Sequence, residues 1–197
     1  MKNGMIIGLT GPIAAGKDAV AKVFGRHGAF IINADKVGHE ILRPQTKSWH
    51  QIVKIFGSKV LNKGGIVNRK KLGRIVFSDK LKLARLNKVM HPEMKARIKV
   101  MIKDAQKRKK KLIIINAAIL AEIGLVPLVD KVITVLASEK IRLGRLMRCG
   151  RTKSDALARI RSQASVSKYR KIADLIIENN KGRKELTEKI KRITSSL

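Results

Sequence analysis

Two rhythms of apolar residues alternate along the chain. Short continuous runs at residues 5–9 (MIIGL), 30–32, 112–115 (LIII), 131–136 (KVITVL) and 175–177 predict strands. Runs this apolar suit strands covered on both faces. Between them, apolar residues return at the three- or four-residue spacing of one helix face. Val20, Val23 and Phe24 predict a helix over residues 17–27, with Gly28 just past its end as the C-terminal cap. Val37, Ile41 and Leu42, then Ile52, Val53 and Phe56, continue the helical pattern. After a turn at residues 62–65, Asn68 is the expected N-cap of a helix through Phe77. Residues 80–110 form one long helical pattern, predicted to bend near His91-Pro92 because proline disfavours helix in the residue before it. Ser138 is the expected cap of a helix over 139–148 and Ser154 of one over 155–164, and a last helix is predicted over 184–193. Strands separated by helices imply crossover connections and a parallel sheet wrapped by helices. The fold class is α/β.

Composition narrows this picture. At 197 residues and 44% hydrophobic, the chain suits one globular domain over residues 1–197. No apolar run approaches the roughly 18–20 residues that span a bilayer, so no membrane association is expected. Residues 1–9 are basic then apolar but break at Thr10-Gly11-Pro12, which reads as a first strand rather than a signal peptide. The single cysteine, Cys149, excludes an internal disulfide framework and a cysteine-rich zinc site, and a cytoplasmic location is expected.

The charge is unusual: 45 Lys and Arg against 14 Asp and Glu give +31. The excess divides almost equally between residues 1–100 and 101–197, and only residues 107–111 (KRKKK) form a run. Aromatic residues are 3%, which leaves little to stack bases on. Nucleic acid is therefore expected to bind non-specifically if at all, while polyanionic ligands in general are favoured.

Chemistry enters directly after the first strand, at Gly11-Pro12-Ile13-Ala14-Ala15-Gly16-Lys17-Asp18. The phosphate-binding pattern G-x-x-x-x-G-K-[ST] is met at every defined position except the last. Glycines at both ends let the backbone turn its N–H groups onto a phosphate, Lys17 reaches the terminal oxygens, and the following helix adds its positive end. A strand before the loop and an amphipathic helix after it supply the context the motif requires. Asp18 departs from the pattern, where a hydroxyl ordinarily holds Mg²⁺. As a hard oxygen donor an aspartate either ligates Mg²⁺ directly or, without the metal, repels the phosphates.

With the loop located, the chain resembles the dephospho-coenzyme A kinase family over roughly residues 5–180. The family's LTGGIGSGKST stands here as Leu9-Thr10-Gly11-Pro12-Ile13-Ala14-Ala15-Gly16-Lys17-Asp18-Ala19, and its D-A-D segment as Asn33-Ala34-Asp35 followed by His39. His91-Pro92 matches the His-Pro that closes its helical region, and residues 117–122, ending in Glu122, its V-P-L-L-x-E segment. Spaced arginines then lead to R-x-x-Q at Arg145, Arg148, Arg159 to Arg161 and Gln163, and A-D-x-x-I-x-N ends at Asn179. The resemblance implies a P-loop NTPase-type three-layer fold with a five-stranded parallel sheet. It also implies a helical acceptor-binding region at 36–110 and a lid at 138–163. The implied activity is ATP-dependent phosphorylation of the dephospho-CoA 3′-hydroxyl, giving CoA and ADP, with ATP and Mg²⁺ as cofactors.

The resemblance also assigns roles. Gly11, Ala14, Ala15, Gly16, Lys17, Asp18 and Ala19 would bind ATP, Asp18 being the metal ligand. Arg145 and Arg148 would neutralise charge on the phosphoryl group in transfer, unless they are a solvated face of a basic helix. Asp35, His91 and Glu122 are candidate acceptor contacts; the alternative role for His91 is to cap or bend its helix. Asn33 departs from the family's candidate general base, since an amide cannot take a proton; it is left to orient the hydroxyl, with Asp35 as a possible substitute. Asn116 stands where many relatives keep an acid. Three rival readings follow: a catalytically weakened nucleotide-binding relative, a nucleic-acid-associated nucleotide-binding protein suggested by the charge, and a kinase for another nucleotide.

Overall fold

A computed structural model describes residues 4–195; residues 1–3 and 196–197 of the span read as one domain lie outside it. Its strands are β1 (Met5–Thr10), β2 (Phe30–Asn33), β3 (Leu112–Asn116), β4 (Lys131–Leu136) and β5 (Leu175–Glu178). All pair in parallel, in the order β2-β3-β1-β4-β5. The apolar runs are continuous because both faces of the sheet are covered. Alternation sends Ile113 and Ile115 to one side and Ile114 to the other. On the Ile114 side lie α1 (Lys17–Arg26) and α9 (Arg183–Ser195), packed through Val20, Phe24, Leu186 and Ile190. On the opposite side lie α2 (Ala34–Glu40) and the C-terminal half of α5 (Lys80–Lys107), packed through Val37, Met94, Ile98 and Ile102.

Residues between α2 and the middle of α5 build a separate apolar core. Here α3 (Lys47–Phe56) and α4 (Arg69–Phe77) bury Ile52, Phe56, Leu72 and Val76. Leu83, Leu86 and Val89 of α5 pack against them. Side-chain caps fix the helix starts: Thr46 for α3, Asn68 for α4 and Asp79 for α5. The remaining helices are α6 (Glu139–Arg148), α7 (Lys153–Arg161) and α8 (Val166–Lys171). Leu146 of α6 and Ala156 and Ile160 of α7 close over Ile13 and Ala14 of the loop that follows β1.

Helix α5 is continuous through Pro92, as the long helical pattern predicted. Its first half is held by α3 and α4 and its second half by the sheet, so packing on both sides of the proline outweighs one missing backbone hydrogen bond. Helix α7 starts at Lys153, because Thr152 rather than Ser154 accepts the hydrogen bond from Asp155 N, at 3.2 Å. It ends at Arg161, and the short helix α8 follows, which the sequence pattern did not predict.

Candidate active site

The site grows from the register of three strands. Leu9 of β1 is paired with Asn116 of β3, which is also paired with Asn33 of β2, so the C-terminal ends of these strands lie side by side. Strand β1 has β3 on one side and β4 on the other, the point in an open α/β sheet where a crevice forms for ligands. The loop from Gly11 to Gly16 sits at this crevice. Gly11, Ala14 and Gly16 have φ of 150°, 59° and 98°. A Cβ on Gly11 would strike the Val135 carbonyl, and one on Gly16 would strike the Asn179 amide, so both positions need glycine for space as well as for backbone conformation. Ala15 N–H closes the turn onto the Pro12 carbonyl at 3.1 Å. Among the described residues, no acceptor is bonded to the N–H groups of Ala14, Gly16, Lys17 or Asp18. Four unpaired donors at the start of α1 form an anion site.

Lys17 is 8% exposed. Its Nζ donates to Asn116 Oδ1 at 2.7 Å, lies 3.3 Å from Asp18 Oδ1 and 4.0 Å from Asp35 Oδ2. Asn116, 2% exposed, donates from Nδ2 to Asp18 Oδ1 at 2.8 Å. Burial works to raise the Asp18 carboxyl, but the hydrogen bond from Asn116 and the Lys17 charge outweigh it and hold the group below its usual value. Asn33 uses its Oδ1 to accept from Lys36 N at 3.0 Å, which caps α2. A cleft of 540 Å³ is lined by Asp18, Lys22, Asn33, Lys36, Glu40 and Asn116. The expected residues Lys17, Asp18, Asn33 and Asp35 are thus gathered at one corner.

Arg145 stands elsewhere on the same loop. Its Nη1 donates to the carbonyls of Ala14 and Ala15, at 2.9 Å each, and its Nη2 to the Asn179 carbonyl at 2.9 Å. Burial, then the neighbouring Arg148, lower its pKa from the ordinary arginine value. Asn179, 5% exposed, sends Nδ2 to the Ala15 carbonyl at 2.7 Å, and Gln163 Oε1 accepts from Ile13 N at 2.6 Å. Arg148 is exposed, with Nε 3.3 Å from the Gly144 carbonyl. Sequence reasoning gave Gln163 and Asn179 no individual role. For Asn179 the available signal was a polar residue at the end of an apolar strand, and it could not name the partner.

His91 and Glu122 form a separate neighbourhood. Burial lowers the His91 pKa, opposed by a hydrogen bond to the Glu122 backbone and by the Glu122 charge. Glu122 also lines a cleft of 230 Å³ with Thr10, Lys168, Tyr169 and Ile172. His39 contacts Arg69, and its pKa is lowered by burial and by that charge, against the opposing Asp35. Among the described residues, no three His, Cys, Asp or Glu side chains group to hold a metal by themselves, and no helix is long and apolar enough to cross a membrane.

A phosphate loop at the switch point of a 2-3-1-4-5 parallel sheet, with helices folded over it, makes this chain a P-loop kinase. More narrowly, it belongs to the dephospho-CoA kinase family, whose model matches residues 5–185. It is 38% identical over 192 residues to a dephospho-CoA kinase of Streptomyces avermitilis, covering 97% of this chain and 93% of that protein. A solved structure from Thermus thermophilus superposes with a TM-score of 0.82 at 28% identity, over 100% of this chain and 99% of that one. The dephospho-CoA kinase of Campylobacter jejuni does so with a TM-score of 0.72 at 28% identity, over 99% and 96%.

Proposed function

We propose that the chain transfers the γ-phosphoryl group of ATP to the 3′-hydroxyl of dephospho-CoA, giving CoA and ADP. The observation that carries this reading is the loop of unpaired amides closed by Lys17, in a chain that the family model matches over residues 5–185. The amides of Ala14, Gly16, Lys17 and Asp18 bind phosphate oxygens, and Lys17 exchanges its Asn116 contact for the β and γ oxygens. Arg145 shapes the loop from behind, and Arg148, on the exposed side of α6, reaches the charge that develops on the transferring group. The lid at 138–163 excludes water as it closes.

The acceptor binds against the helical region at 36–110, with Asp35, His91 and Glu122 among its contacts. Its 3′-oxygen forms the new bond to phosphorus as the bond to the ADP oxygen breaks. Asn33 can only orient the hydroxyl, and Asp35 receives its proton. Asp18 supplies a hard anionic oxygen beside the phosphate site, a donor that suits Mg²⁺, which takes one or two carboxylates and completes its shell with phosphate and water. When bound, the ion neutralises phosphate charge. The protein acts in the cytoplasm, and nucleic acid binds it only non-specifically.

A turnover assay with ATP, Mg²⁺ and dephospho-CoA, run beside a panel of nucleoside monophosphates, tests this reading. ADP and CoA are expected with dephospho-CoA, and little ADP with the panel. Preference for a monophosphate, or ATP binding with no acceptor turnover, contradicts it.

A further inference from the structure

We infer that Asp18 and Asn116 are a charge-exchanged pair: the acid that P-loop enzymes keep at the end of a strand has moved into the loop, and the neutral ligand has moved to the strand. The inference rests on the kinase reading above. In P-loop enzymes the divalent ion is held by a neutral loop hydroxyl and a strand aspartate. In this chain the loop position carries the carboxylate and the strand position an amide, so the pair keeps one negative charge.

Geometry ties the two departures together. Asn116 ends β3 beside Leu9 of β1, and its Nδ2 reaches Asp18 Oδ1 at 2.8 Å. The same amide accepts from Lys17 at 2.7 Å through Oδ1. Its orientation is forced, because a carboxylate only accepts and an ammonium only donates. An aspartate at 116 would lose the Nδ2 donor and set two carboxylates at hydrogen-bond distance, with the Lys17 ammonium alone to hold them apart. With serine at 18, Asn116 would remain on Lys17, and the acid nearest Lys17 would be Asp35 at 4.0 Å. Each residue is therefore matched to the exchanged form of the other. Asp18 Oδ1 takes both internal contacts, while Oδ2 carries no hydrogen bond among the described residues and the side chain is 72% exposed. That oxygen is the cation ligand the loop offers.

The test compares the parent with Asp18→Asn, Asn116→Asp, the isosteric exchange Asp18→Asn/Asn116→Asp, and Asp18→Ser/Asn116→Asp. The readout is Mn²⁺ affinity in the presence of ADP, followed by electron paramagnetic resonance, with thermal unfolding of every variant alongside. Each single variant is expected to lose about tenfold or more in Mn²⁺ affinity. At least one exchanged double variant should recover to within about threefold of the parent, a coupling typical of residues in contact. Two double variants that fold yet carry the summed losses of the singles overturn the inference, as does a parent whose Mn²⁺ affinity ignores Asp18→Asn. The kinase reading fails separately: rescue of Mn²⁺ affinity in a protein that never phosphorylates dephospho-CoA supports the pair and removes the substrate assignment. Turnover with additive losses does the reverse.

Discussion

Asn33 links the folding of α2 to the chemistry. Its Oδ1 is committed to Lys36 N, so the side chain holds the helix start and offers the cleft at most its NH₂. An aspartate would keep the cap and favour the positive end of α2, while adding a proton acceptor. Asn33→Asp should therefore raise kcat with little change in KM, by less than the roughly hundredfold of a full general base, since phosphoryl transfer leans more on positioning. Steady-state kinetics check this, and an unchanged or lower kcat contradicts it. His91 makes a prediction about pH. Burial, only partly offset by Glu122, makes it harder to protonate in the folded protein than in the unfolded chain, where its value is 6.5. Acid then favours the unfolded chain: the stability is complete above 6.5 and is lost as pH falls below it. Thermal midpoints measured between about pH 8 and pH 5 should fall more steeply for the parent than for His91→Gln. Parallel curves would argue that His91 is not the group responsible.

At the scale of elements, α6 and the end of the last strand hold the loop after β1 from outside. Arg145 from α6 and Asn179 just after β5 together take the Ala14 and Ala15 carbonyls, leaving the loop amides free for a ligand. Asn179→Ala should raise the KM for ATP several-fold while kcat changes less, and should lower the thermal midpoint, because one buried hydrogen bond of about 1 kcal/mol is lost. An unaltered KM would mean that the loop keeps its shape unaided. The strands and the loop were legible in the sequence, because LIII, KVITVL and a Gly-Lys pair after an apolar run have few other solutions. Asn68, Ser138 and Gly28 marked their helix ends for the same local reason. The clamp was not legible. Ile13 meets Gln163, and Ala15 meets Asn179, across 150 and 164 residues of sequence, and no spacing rule carries such pairings. The continuity of α5 through Pro92 rests on two cores, one on each side, that only the tertiary structure reveals.

For the whole molecule, a charge of +31 draws in any polyanion, so weak attraction to ATP, dephospho-CoA or nucleic acid proves little by itself. That attraction is spread over the surface and fades with added salt. The proposed loop site is different in kind, because its unpaired amides and the buried Lys17 would fix one phosphate chain in one geometry. Titration calorimetry with ATP, for the parent and for Lys17→Ala, at physiological and at raised ionic strength, separates the two most directly. Saturable one-to-one binding is predicted that survives the added salt. It should weaken at least about tenfold in Lys17→Ala, the least expected when a charged hydrogen bond of roughly 1.5–3 kcal/mol is removed. Binding that disappears with salt, or that Lys17→Ala leaves intact, would contradict a phosphate site built from this loop.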